Sequence, residues 1–136
     1  MSDNEIRMVE AIPEAGRLVT KALGEVLRPF QLTVAQLEVL ELLWRQGEVS
    51  QKAIIETRGV EAATVGTTLT RLERDGWIVR HADPVDGRGR IAKPSEKAIA
   101  AKDGIRAAVE QLEMKLRFAD ISEESLSAMV KNLRQL

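Results

Sequence analysis

The chain has 136 residues, 44% of them hydrophobic and 30% charged, with 20 Lys+Arg against 21 Asp+Glu and a net charge of −1. That length and apolar content describe one folded domain with a modest core, and they exclude a disordered chain or a two-domain enzyme. With no cysteine, no tyrosine and one histidine, a disulfide framework, a thiolate nucleophile and a His/Cys metal centre are excluded too.

No apolar run approaches the roughly 18 to 20 residues that span a bilayer. The start, MSDNEIRMVE, lacks the basic-then-apolar order of a secretion signal. The expectation is a cytoplasmic protein without membrane contact. Net acidity makes no whole-chain case for a polyanionic partner, but the charge is unevenly spread. From Arg71 to Lys93 there are six bases against four acids, leaving 14 against 17 elsewhere. A local positive segment on an acidic body suits a local anion contact.

In chain order, Ile12, Gly16, Val19, Leu23, Val26 and Phe30 alternate at spacings of four and three, a helical stripe with a coiled-coil-like seam. Pro13 is compatible with a first turn, and Pro29 should stop the helix near Arg28. Thr33-Val34-Ala35-Gln36 has capping-box spacing and opens a second helix with the stripe Leu37, Leu40, Leu43, Trp44, closed by Gly47. Ser50 caps a short third helix through Ala53, Ile54 and Ile55, ended by Gly59. A fourth helix is expected over Ala62 to Asp75, with Val65, Leu69 and Leu72 on one face and Gly76 as its stop.

Trp77 to Arg80 and Arg90 to Lys93 read as two strands of a β-hairpin around a turn-rich loop. In that loop Asp83-Pro84 and Asp86-Gly87 are turn formers, and Gly87 and Gly89 permit positive φ and close approach. Ser95 caps a long helix carrying Ala98, Ala101, Ile105, Ala108, Val109, Leu112 and Leu116. A last helix after Ser122 places Leu126, Met129, Val130 and Leu133 on one side, with Glu123 and Glu124 at its favourable first turn.

Three short helices followed by a hairpin make a winged helix-turn-helix. The fold class is therefore mainly α with a small β-hairpin. Residues 33–94 form the DNA-binding lobe of a single domain over 1–136, and residues 5–30 and 96–136 are dimerisation helices. The long helix carries apolar residues on two flanks, which calls for a second covering surface, and a two-fold dimer supplies one.

With Val65, Leu69 and Leu72 inward, the fourth helix offers Ala63, Thr64, Gly66, Thr67, Thr70, Arg71 and Arg74 to a DNA major groove, with Thr68 among the candidate contacts. Ser50 and Gln51 are candidates for the DNA backbone. The hairpin tip holds Arg88 and Arg90 on a projection narrow enough for a minor groove, where negative potential is focused. Asp86 is placed to hydrogen-bond Arg88 or the nearby backbone. Alone, such a tip would be a solvated hairpin end; behind a helix-turn-helix it points to double-stranded DNA.

Leu32 to Leu37, Ala63-Thr64-Val65, Leu69 to Arg80 and the wing Asp83-Pro84-Val85-Asp86-Gly87-Arg88 resemble the MarR family of bacterial transcriptional regulators. The resemblance implies a homodimer whose terminal helices form the dimer core. It also implies a recognition helix and wing on each half of a pseudo-palindrome, and repression relieved by a small-molecule effector. Leu23, Phe30, Trp44 and Ile54 are candidate effector-pocket residues and equally plain core residues. Gly66 inside the recognition helix costs about 1 kcal/mol relative to alanine.

Two other readings stand beside this one. The first is a winged-helix protein-interaction dimer with weak DNA binding. The second is a penicillinase-repressor-type regulator, suggested by Thr-Val-x-Thr-x-Leu-Thr-Arg-Leu at 64 to 72 but expected to lack the N-terminal helix. Nothing supplies a catalytic constellation, a metal-spaced cluster or a phosphate-binding glycine loop, so no catalytic residue, metal or cofactor is expected. His81 reads as a hairpin surface residue, Trp44 and Trp77 as packing, and Met8, Met114 and Met129 as ordinary helix residues.

Overall fold

A computed structural model describes residues 6–58 and 61–136. Helix α1, Met8–Leu27, passes into a 3₁₀ turn, Arg28–Phe30. Helix α2, Val34–Gln46, strand β1, Val49–Ser50, helix α3, Gln51–Arg58, and helix α4, Ala62–Arg74, follow. Strands β2, Ile78–Ala82, and β3, Arg90–Pro94, make the hairpin, and helices α5, Glu96–Phe118, and α6, Glu123–Leu133, complete the chain. Among the described residues, no helix is long and apolar enough to cross a membrane.

The helix boundaries follow local chemistry. The Thr33 capping box forms in full, its hydroxyl accepting from the Gln36 backbone while the Gln36 side chain accepts from the Thr33 backbone. Ser50, Ser95 and Ser122 cap α3, α5 and α6 through their hydroxyls. Gly47 (φ 84°) and Gly76 (φ 81°) turn the chain after α2 and α4 in the left-handed region that glycine adopts without penalty. The expected stop of α3 at Gly59 lies outside the described residues.

Three expectations are corrected. Pro13 sits well inside α1, beyond the first turn. The helix continues past it on an exposed flank, where water can take the Val9 carbonyl that loses its partner. The sheet is a hairpin plus one strand: β1 pairs antiparallel with β3, Val49 opposite Ala92 and Ser50 opposite Ile91, giving the order β1-β3-β2. Finally, neither Gly87 nor Gly89 takes positive φ. Gly89 instead sits where space is tight, since a Cβ there would lie 3.3 Å from both the Asp83 Cβ and the Asp86 carbonyl oxygen.

One apolar core joins these elements. Leu27, Leu40, Leu43, Ile54, Leu69, Leu72 and Ile105 are completely buried, and Trp77, Ile78 and Ala92 bring the sheet into the same cluster. The recognition-helix face formed by Val65, Leu69 and Leu72 is thus turned inward, as its spacing predicts. Ile54 belongs to the core, with Leu23, Phe30 and Trp44 packed against it. Arg106 of α5 forks onto the Glu41 carboxylate of α2 at 2.9 and 3.2 Å and lies over the Trp44 ring, tying the long helix to the lobe.

Helix α6 contrasts with this core. None of its residues is buried, and Leu126, Val130 and Leu133 are each more than two-fifths exposed, as are Met8, Val9, Ile12 and Leu18 of α1 and Met114 and Phe118 of α5.

Candidate nucleic-acid interface

Inward burial of Val65, Leu69 and Leu72 leaves Ala63, Thr64, Thr67, Thr70, Arg71 and Arg74 on the open side of α4, with Thr68 half-buried on its flank. The Thr67 and Thr68 hydroxyls each donate to the carbonyl four residues back, at 3.0 Å, so both present lone pairs outward. Thr64 makes no such bond among the described residues. Gly66 faces α3, where a Cβ would meet the Gln51 Nε2 at 3.7 Å, an ordinary contact. The G66A variant is therefore expected to gain up to about 1 kcal/mol from helix propensity, read as a higher melting temperature; a lower one would show that α3 and α4 pack too tightly for the methyl.

The basic residues of the site fall into two groups. Arg74 forks onto Asp75 at 3.0 and 3.2 Å, and that guanidinium holds the Asp75 carboxyl below its ordinary range. By contrast, Arg71, Arg88 and Arg90 are exposed and have no side-chain ion pair among the described residues. These three are free to meet an anionic partner.

The wing loop is built by its aspartates. The Asp83 carboxylate accepts the backbone N–H of Val85 at 2.9 Å and of Asp86 at 3.3 Å, while Asp86 accepts the backbone N–H of Arg88 at 3.1 Å. Asp86 thus shapes the backbone beneath Arg88, the second of the two roles open to it. Gly89 closes the loop through its N–H to the Asp86 carbonyl and its own carbonyl to the Asp83 N–H. These bonds give both aspartates a structural role, shaping the backbone that carries the exposed Arg88 and Arg90.

Tertiary packing brings the start of α3 to the base of the wing. Ser50, Gln51, Asp86, Arg88 and Arg90 line one open cleft of about 360 Å³, together with Lys52. Lys52 is exposed and was not singled out by sequence; its signal was a cation one residue beyond Ser50-Gln51. Ser50 spends its hydroxyl on the α3 cap, at 3.1 Å from the Ala53 nitrogen. Arg74 lies at the opposite end of α4 and is not part of this cleft.

The helix-to-wing junction is clamped from outside. The Ser95 hydroxyl donates to the Gly76 carbonyl at 2.6 Å, and Lys97 Nζ donates to the Asp75 carbonyl at 2.9 Å while sitting 4.2 Å over the Trp77 ring. His81 lies on β2, its Nε2 3.8 Å from Glu48. The groove between α2 and α5, about 440 Å³, is lined by Leu37, Glu41, Arg45, Arg106, Val109, Glu110 and Glu113. None of the four apolar residues suggested for an effector pocket lines it.

A recognition helix over a packed core, a twisted hairpin with an arginine tip and a third strand from the helix-turn-helix define a winged helix-turn-helix protein. Comparison with known proteins agrees. The MarR family's sequence model matches residues 32–89. The Bacillus subtilis (strain 168) protein named as the uncharacterized HTH-type transcriptional regulator YwoH is 32% identical over 121 residues, covering 89% of this chain and 87% of its own. The chain belongs to the MarR family of transcriptional regulators.

Among solved structures, a MarR-family transcriptional regulator from Rhodococcus sp. RHA1 is 25% identical with a TM-score of 0.77, over 91% of this chain and 87% of that one. A mutant MarR from E. coli, complexed with operator DNA, is 21% identical with a TM-score of 0.79 over 92% and 89%. The family and the presence of α1 set aside the penicillinase-repressor reading.

Proposed function

We propose that this chain is a sequence-specific DNA-binding repressor. In this reading it grips a pseudo-palindromic operator as a homodimer and is released by a small ligand. The observation that carries it is the pairing of unsatisfied cations with shape: Arg88 and Arg90 on a braced wing, Arg71 on the adjoining helix, and Lys52 across the cleft. The E. coli structure of the same fold was solved with operator DNA, which supports the same partner here. Residues 33–94 act as the DNA-binding lobe. Residues 5–30 and 96–136 act as the dimerisation helices, in keeping with the uncovered apolar residues of α1, α5 and α6. Such a dimer sets two recognition helices about one DNA turn apart.

In vitro selection of DNA by the purified protein at two salt concentrations tests this. Enrichment of two inverted half-sites, with affinity that falls as salt rises, is the expected result. Failure to enrich any sequence, together with co-purification of a stable protein partner, would favour the protein-interaction dimer. The specific observation on that side is the exposed Glu61 at the start of α4, which caps nothing and repels phosphate.

A further inference from the structure

We propose that Glu73 and Arg80 are positioning residues that hold the wing at a fixed angle to the recognition helix. Its consequence for affinity rests on the DNA-binding reading above; the geometry does not. Glu73 stands on the outer side of α4, near its end, and Arg80 on β2, an edge strand of the sheet. Arg80 Nη2 donates to Glu73 Oε1 at 3.0 Å, and the Arg80 side chain is only 15% exposed.

Helix and strand are joined covalently by the short turn Asp75-Gly76-Trp77. The shared core, the β1–β3 pairing and the Ser95 and Lys97 bonds seat the base of the sheet. The Glu73–Arg80 pair adds a direct polar tie from the outer side of α4 to β2, seven residues apart in sequence, and so bears on the angle between them.

Stability does not explain the choice of residues. Arg80 Nε is buried with no hydrogen-bond partner, a cost that an apolar side chain of similar length would avoid. The hydrogen bond from the Arg80 guanidinium holds the Glu73 carboxyl below its ordinary range, with a smaller attraction from Arg90 of β3.

Simple electrostatics predicts the opposite consequence for DNA. Removing a negative charge beside the wing arginines should tighten binding to phosphate, whereas loss of a positioning contact should weaken it. The two accounts therefore differ in sign.

The chain has no cysteine, so Ala63→Cys and Val85→Cys, both exposed, accept spin labels on the helix and the wing tip. The labelled chain is diluted with unlabelled chain, so that both labels lie in one protomer. The expected result is a narrow distance distribution that broadens in Glu73→Gln and again in Arg80→Met, with Arg80→Met, which leaves no unpaired buried cation, melting close to the unsubstituted protein. An unchanged distribution in both would overturn the proposal, whether or not the protein binds DNA.

On a selected duplex, Glu73→Gln is expected to weaken binding roughly fivefold and to have no further effect once Arg88 is alanine, because the two changes act through one wing. Tighter or unchanged binding would overturn the proposal, as would an equal loss in the Arg88→Ala background. If the unsubstituted protein selects no DNA, the functional reading fails while the label distances still judge the pair.

Discussion

Arg88→Ala is expected to lower affinity for a selected duplex by on the order of 10- to 100-fold and to reduce the salt slope by about one per arginine removed. Arg88 projects from a loop whose backbone is braced by Asp83 and Asp86, so in the proposed interface that backbone has little freedom left to lose. The loop does not depend on the Arg88 side chain, since the bracing bond uses its backbone N–H. The variant should therefore fold and melt like the parent. Titration of a fluorescent duplex at two salt concentrations measures both numbers. An affinity within twofold of the parent would remove the wing from the interface.

If the chain pairs as proposed, Leu133→Asp is expected to leave a single chain of 15.1 kDa and to cost roughly 10²- to 10⁴-fold in apparent DNA affinity. Leu133 lies on the uncovered stripe of α6 with Leu126 and Val130, and this helix buries nothing within its own protomer. A carboxylate there stays solvated in the free chain but must be desolvated in a two-fold interface, where its own copy adds like-charge repulsion. The lobe should survive, because its core is drawn from Leu27 to Ile105 and none of it from α6. Loss of the second half-site grip, and not unfolding, then accounts for the weaker binding. Light scattering after size exclusion reads the mass, and circular dichroism the fold; a variant that still runs as a dimer would place the interface elsewhere.

The two largest effects thus come from parts of the chain that differ in how plainly the sequence announces them. Periodicity was enough for the helices, since burial of Val65, Leu69 and Leu72 follows from their spacing alone. Local chemistry was enough for the caps at Thr33, Ser50, Ser95 and Ser122 and for the turns at Gly47 and Gly76. A two-residue strand has no period to detect, so β1 was hidden: Val49 and Ser50 are strand only because β3 lies beside them. Gly87 and Gly89 mislead in a similar way, because composition says that a glycine is present but not whether φ or space requires it.

What the sequence determined by itself was every interaction between residues a few positions apart: the helices, their ends, the wing's aspartate turns and the positive segment from Arg71 to Lys93. Only the tertiary structure decided which cations are spent and which are free. Arg74 and Arg80 are taken by Asp75 and Glu73 and Arg106 by Glu41, while in this segment and the adjoining cleft Arg71, Lys52, Arg88, Arg90 and Lys93 are left without an ion pair among the described residues. The reason is physical: an ion pair depends on distance in space, and the approach of α3 to the wing, or of β2 to α4, is set by burial of a shared core rather than by any signal near the charged residues themselves.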